Sequence, residues 1–385
     1  MRAPTGFDRA TLLIASGIQT VGLATVLALL ADLQDAYGFA TWGLGLIGGI
    51  AFATSFLAYV GLSRFADQGH AKKMLIIGAV VGVVGLVWAA FGTTLWSLAL
   101  ARALFGLAEG TFVPAARRIM IDWRPDNPGT EIGRLISVSV TGFVVGPLVG
   151  ALLAEQFGLA VPFLVPAAVI AILLPFLFRV VPAPIPPGEV KAPVRALAGN
   201  KALWAAILLG SCELFAIGAF DAVWARLMSD MGASTWLIGV SFAAFVIPIA
   251  LLSSVWGALA DRSSPMRVGM VATALSIPFL GTYGLWQTPE QLIWISVLHG
   301  AVTAGIQPAA AAAVTRLASG PLLATGQGML QAVGFAAAAL VALPSGWLYQ
   351  RMGPEGLFPL VAAGVAVLLI TSGLLWRAGG AGLPR

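Results

Sequence analysis

From residue 10 to residue 377 the chain alternates long apolar runs with short polar or charged stretches. Twelve runs come close to the ~20 residues that a helix needs to cross a bilayer. They are 10–31, 42–62, 74–92, 95–117, 133–155, 161–181, 202–228, 236–258, 268–286, 291–314, 325–348 and 357–377. Helices suit them, because a lipid-exposed backbone must satisfy its own hydrogen bonds within one segment. The pattern predicts an all-α integral membrane protein with twelve transmembrane helices. The first run, near the N-terminus, could be mistaken for a cleavable leader. That run is too long for a leader's apolar segment, so it is expected to remain as a helix.

The stretch 182–200, PAPIPPGEVKAPVRALAGN, is the one substantial polar interruption. Its prolines forbid a continuous helix, which predicts an extended cytoplasmic tether. It separates two candidate six-helix bundles, 1–181 and 201–385. The two also share residues at one spacing. Asp67 and Asp261 lie 194 positions apart, and so do Gly38 and Gly232, Thr41 and Thr235, Trp42 and Trp236, Gly45 and Gly239, and Pro114 and Pro308. Matches of Ala, Gly or Leu are cheap in an apolar chain, whereas matches of Trp and Asp are not. The shared offset indicates an internal two-fold repeat and hence pseudo-symmetric bundles.

Composition narrows the class. The chain is 59% hydrophobic and 10% charged, against roughly 25% charged for soluble domains. The net charge of +5 does not imply nucleic acid, since the basic residues sit in short loops between apolar runs. Placing the N-terminus inside puts 18 of the 21 Lys and Arg on the cytoplasmic side, which predicts both termini there. Arg226 and Arg351 then fall outside, and Arg102 within a run. No glycine loop with a Lys-Ser/Thr pair is present to cradle ATP. No metal-ligand cluster is visible; His70 and His299 are far apart, and Cys212 is single. No nucleophile–base pair is discernible, so neither an enzyme nor a cofactor is expected.

Two loops carry the clearest motif. Ser63–Lys73 reads SRFADQGHAKK, and Gly257–Arg267 reads GALADRSSPMR. With twelve runs in two halves, they make the chain resemble the major facilitator superfamily over essentially its whole length. That family's loop runs roughly G-x-L-A-D-R-x-G-R-K. Gly257, Leu259, Ala260, Asp261 and Arg262 match it. In the first loop Ser63, Phe65, Gln68 and His70 depart, while Asp67, Gly69, Lys72 and Lys73 keep the charge pattern. The resemblance implies that Asp67 and Asp261 latch the halves in one state; a solvated topology loop is the plainer alternative. Run 5 holds GFVVGPLVGA, which resembles the helix-5 motif of drug–proton exchangers at Gly142, Gly146, Pro147 and Gly150, with Ala151 replacing a final Gly. Generic close packing of small residues explains the glycines equally, though not the Gly-Pro step.

Charges inside apolar runs are expensive, about 2.5–3.5 kcal/mol each at a helix centre on insertion scales. Run 4 carries Arg102 and Glu109, seven apart and so on one helix face. Arg102, Gly106 and Gly110 resemble the family's helix-4 pattern, whose arginine is linked to proton transfer; a purely structural Arg–Glu pairing is the alternative. Run 7 carries Glu213, whose repeat mate is Gln19, and Asp221 nearer the outer end, where a solvated carboxylate or an Arg226 partner is the simpler expectation. Desolvated acids make Glu109 and Glu213 candidate proton carriers. Further cavity candidates are Phe105, Phe112, Trp224, His299, Gln307, Gln327 and Gln331, although membrane aromatics more often pack helices or face lipid.

Together these features predict a secondary transporter of the bacterial inner (plasma) membrane, working by alternating access. The expected activity is proton-coupled efflux of a hydrophobic or amphipathic small molecule by a monomer. An uptake symporter or a uniporter would need a more polar cavity than this inventory offers. A non-transporting sensor could dispense with mid-span acids and the Gly-Pro step.

Overall fold

The computed structural model describes residues 5–124, 128–181, 197, 199–318 and 323–379. The tether expected at 182–200 lies outside them, apart from Leu197, Gly199 and Asn200. Among the described residues the secondary structure is helical and no strand occurs. The helices are α1 (Gly6–Tyr37), α2 (Trp42–Phe65), α3 (Ala71–Phe91), α4 (Leu95–Trp123), α5 (Pro128–Phe157), α6 (Val161–Leu177), α7 (Lys201–Asp230), α8 (Thr235–Arg262), α9 (Pro265–Thr282), α10 (Pro289–Thr303), α11 (Ile306–Leu317) and α12 (Leu323–Ala378). Ten helical stretches among the described residues are long and apolar enough to cross a membrane, and α6 is a shorter apolar helix. Exposed side chains along them are themselves apolar: Leu251 is 69% exposed and Leu340 71%. Such a surface suits lipid and not water.

Local chemistry sets the helix ends. Thr5 and Asp8 form a reciprocal capping box at the start of α1, and Gly38 closes it in the left-handed region at φ 67°. Thr288 and Gln291 repeat the capping box at α10. Within α12, Gly353 takes φ 67° and ψ −176°, beside Pro354. This one non-helical residue separates the runs expected at 325–348 and 357–377.

The structure divides into two compact units. The first comprises Met1–Gly43, Ile50–Pro187 and Met228–Ala243. Here α5 lies on α1 through the run-5 glycines. A Cβ on Gly142 would run into the Gly17 carbonyl; one on Gly146 would lie 2.7 Å from the Val21 oxygen, and one on Gly150 2.8 Å from Thr25 Cγ2. Thr25 Oγ1 donates to the Gly146 carbonyl across this contact at 3.3 Å. Helix α3 approaches α4 in the same manner, with Gly78 against Phe112 and Gly85 against the Ala101 carbonyl. The start of α8 also belongs to this unit. Gly239 abuts Pro147, and the Thr235 hydroxyl donates to Asp32 at 2.8 Å.

The second unit comprises Leu44–Gly49, Gly188–Leu227 and Ala244–Arg385. Its core joins Leu203, Ile207 and Leu209 of α7 to Val314 of α11 and Leu330 of α12. Gly218 of α7 meets the backbone of Ala338, and Gly45 of α2 meets the carbonyls of Ala342 and Leu343. The first turn of α2 thus packs with the second unit, and the first turns of α8 pack with the first.

Candidate functional site

In the first unit the site is built on α4. Gly106 and Gly110 let α4 lie against α2 so closely that a Cβ on either would collide with Ala51, Thr54 or Ala58. That approach brings Ser55 Oγ within 3.2 Å of both the Gly106 carbonyl and Glu109 Oε2. Arg102, two turns earlier, is buried and donates to the Leu23 carbonyl at 3.0 Å. It and Arg117 lie within electrostatic reach of Glu109. A half-buried carboxyl group held by a hydroxyl, with two guanidinium groups in electrostatic reach, is what a membrane-embedded acid needs in order to persist.

In the second unit the tenth run is broken. Pro308 has no N–H, and its ring would clash with the carbonyl four residues earlier, at Ala304. The helix therefore ends at Thr303 and restarts at Ile306. Gly305 passes beneath Trp256, whose ring atoms would lie 2.8 Å from a Cβ there, and Trp256 Nε1 donates to the Ala301 carbonyl at 3.0 Å. Opposite the break stands Glu213, 7% exposed, its carboxyl group facing the backbone N–H of Gln307 at the start of α11. A carboxylate suits that helix start, where free N–H groups and the helix dipole favour negative charge. The Gln307 side chain instead donates to the Gly210 carbonyl at 3.1 Å.

Other expected residues are placed as follows. Gln19 is buried on α1 against Gly82. Phe105 and Phe112 are buried and fill glycine notches of α1 and α3, a packing role that helical spacing could not separate from a cavity role. Asp221 is only 6% exposed, so of the two expectations there, a solvated carboxylate or an Arg226 partner, burial speaks against the first. Trp224 and His299 join Phe220, Tyr283 and Phe358 in one aromatic cluster, where the Tyr283 hydroxyl and His299 Nδ1 are 3.1 Å apart. Gln327 donates to the Ala311 carbonyl and to Thr315, each at 3.0 Å, and Gln331, one turn on, is half-buried.

Of the loop residues, Gly69 takes φ 85°, a region that L side chains rarely adopt, while Lys72 is half-buried and Lys73 exposed. The side chains of Ser63 and Asp67 lie outside the described part. In the second loop Gly257 sits against Pro308, Arg262 is exposed, and Arg316 donates to the Asp261 carbonyl at 3.1 Å. Sequence reasoning missed Ser55, Ser276, Thr303 and Tyr283 as polar neighbours of the acids. The offset of 194 would have found one of them, since it pairs Glu109 with Thr303.

A family model described as Major Facilitator Superfamily matches residues 12–224 and 206–381. The chain belongs to that superfamily. It is a multi-pass membrane transporter and not an enzyme. Among curated proteins it is similar to "Multidrug resistance protein MdtG" of Rahnella sp. (strain Y9602), 29% identical over 276 residues, covering 69% of this chain and 67% of that protein. The protein of the same name from Salmonella arizonae is also 29% identical, over 69% of this chain and 68% of its own. Among solved structures, a bacterial homologue of the human lysosomal transporter Spinster, inward-facing and unoccupied, superimposes with a TM-score of 0.81 at 14% identity, over 98% of both chains. The nucleoside transporter NupG follows at 0.74 and 18% identity, over 96% of this chain and 99% of its own. These likenesses support the superfamily fold.

Proposed function

We propose that this transporter exports a hydrophobic or amphipathic small molecule in exchange for protons, by alternating access of a twelve-span protein with both termini in the cytoplasm. The observation that carries the proposal is one acid withdrawn from water in each unit. Glu109 is held by Ser55, and Glu213 faces the start of α11. The two acids do not occupy equivalent positions. At the 194-residue offset Glu213 corresponds to Gln19 and Glu109 to Thr303. The chain thus carries a carboxyl group at opposite members of one repeated pair.

In this proposal Glu109 and Glu213 exchange protons, Arg102 biases Glu109, and Asp221 takes part nearer the outer end. Asp67 and Asp261 act in gating between the halves 1–181 and 201–385, and the helix-5 motif keeps α5 close to α1. Gln307, Gln327, Gln331 and Trp224 are the remaining candidates to meet substrate. The multidrug-resistance names of the curated relatives favour export and a broad apolar substrate class. The test is the direction of flux. Proteoliposomes loaded with a lipophilic fluorescent dye and given a pH gradient should move dye against the proton flow. Dye moving with the protons would replace the exporter by a symporter, and gradient-independent movement would replace it by a uniporter.

A further inference from the structure

Beside Glu213 the second unit encloses a narrow cavity that leaves about 10 Å³ for the centre of a water-sized sphere. Among the residues that line it, Glu213, Ser276, His299 and Thr303 bring strong polar atoms, beside Cys212 and the apolar Phe245. Two of those atoms, Glu213 Oε2 and Thr303 Oγ1, are buried without any hydrogen-bond partner. A buried polar group left unpaired is costly, so two orphans on one cavity point to a shared occupant. The space matches one water, which needs roughly 10–15 Å³ and two to four polar partners. With Nδ1 of His299 turned to the Tyr283 hydroxyl, Nε2 is the ring atom left for the cavity. Ser276 Oγ donates to the Thr273 carbonyl and keeps lone pairs free to accept.

We infer that Glu213, Thr303 and His299 hold a single water, and that this water links the Glu213 carboxyl group to the His299 ring as a proton relay. The inference deepens the proton-coupled reading above and rests on it. The relay needs no co-reactant. The Glu213 O–H gives its proton to the water, and the water gives one of its own to His299 Nε2. The proton then rests on the His299 ring, whose Nδ1 is held by the Tyr283 hydroxyl. Each O–H or N–H bond broken is matched by one formed. The titratable groups facing the cavity are Cys212, Glu213 and His299, with Tyr283 behind His299; α8 contributes the apolar Phe245, and α9 the hydroxyl of Ser276.

The first unit supplies a natural comparison. At the same offset His299 is Phe105, Ser276 is Gly82 and Glu213 is Gln19. There the Gln19 amide lies against Gly82, and Phe105 packs beside Gly22 and Gly85. The His299 and Ser276 positions of the relay are therefore particular to the second unit.

The test is infrared spectroscopy of the purified full-length protein. The carboxyl C=O stretch of Glu213 is identified as the band lost in Glu213→Gln. In the parent protein this band should shift on transfer to D2O and stay unchanged when sodium chloride replaces N-methylglucamine chloride. Thr303→Val, which keeps shape and removes the hydroxyl, should move it to higher wavenumber. His299→Phe, which suits the aromatic surroundings, should do the same, while the exposed Thr371→Val should leave it in place. A band unmoved by both Thr303→Val and His299→Phe would overturn the relay, and a band that moves on adding sodium would assign the cavity to a cation instead. Because the readout needs no substrate, its failure is separable from a failure of the exporter reading, which the dye-flux experiment decides alone.

Discussion

Replacing Gly146 with Ala tests the packing of α5 on α1 at one atom. Helix propensity alone favours the substitution, because Gly in a helix interior is worse than Ala by roughly 0.5–1 kcal/mol. The structure predicts the opposite sign. The added Cβ would lie 2.7 Å from the Val21 carbonyl oxygen and 3.0 Å from the Ala24 Cβ. Ordinary contacts begin near 3.4 Å, so the backbones must separate by several tenths of an ångström along a contact that Gly142 and Gly150 also keep close. Overpacking of this kind costs about 1–3 kcal/mol, and little of it is recovered elsewhere, since small residues are what allow membrane helices to associate. Subtracting the propensity gain leaves a net loss of about 0.5–2 kcal/mol. At 2–4 °C per kcal/mol for larger domains, the melting temperature should fall by a few degrees. The control is Gly133→Ala in the same helix, where no atom lies within 4 Å of the new Cβ and only propensity acts. Thermal unfolding in detergent, followed by size-exclusion chromatography of heated samples, reads both. Gly146→Ala matching or exceeding Gly133→Ala in stability would refute the close-packed role of the helix-5 glycines.

Further outcomes follow from single contacts. Trp256→Phe keeps the ring over Gly305 but removes the donor to the Ala301 carbonyl, and should lower stability by about 0.5–1.5 kcal/mol; an unchanged melting temperature would mean that the helix break needs no such cap. Gly69→Val forces a β-branched residue to φ 85°, at a cost of roughly 1–2 kcal/mol, whereas Gly61→Val in an open position should be close to neutral. Glu131 is buried between Arg9 and Arg134; Glu131→Gln leaves two guanidinium groups facing an amide and should cost about 1.5–3 kcal/mol. High salt should narrow that last difference only slightly, because buried pairs are weakly screened.

The apolar runs gave the helices nearly where they lie, since a span of ~20 apolar residues has only one way to satisfy its backbone in lipid. The departures have local causes. Run 6 stops at Leu177 instead of 181, and Pro308 splits run 10 before α11. The acids were legible because a charge in an apolar run is expensive and therefore conspicuous. Their partners were not, because Ser55 and Thr303 are small polar residues that blend into a membrane helix until a second helix meets them. Phe105, Phe112 and Gln19 show the other limit: periodicity places a side chain on a face, but only the neighbouring helix decides whether that face meets a cavity or a glycine. The small residues of the Gly-x-x-x-Gly-Pro run permit close helix approach, and Gly142 and Gly146 lie on the backbone of α1.

Proton exchange by Glu109 and Glu213 is the central claim, and one comparison tests it most directly. Proteoliposomes containing the double variant Glu109→Gln, Glu213→Gln, compared with the parent protein, should lose dye export driven by a pH gradient while still exchanging dye for dye at equal pH. Gradient-driven export at the parental rate would contradict it.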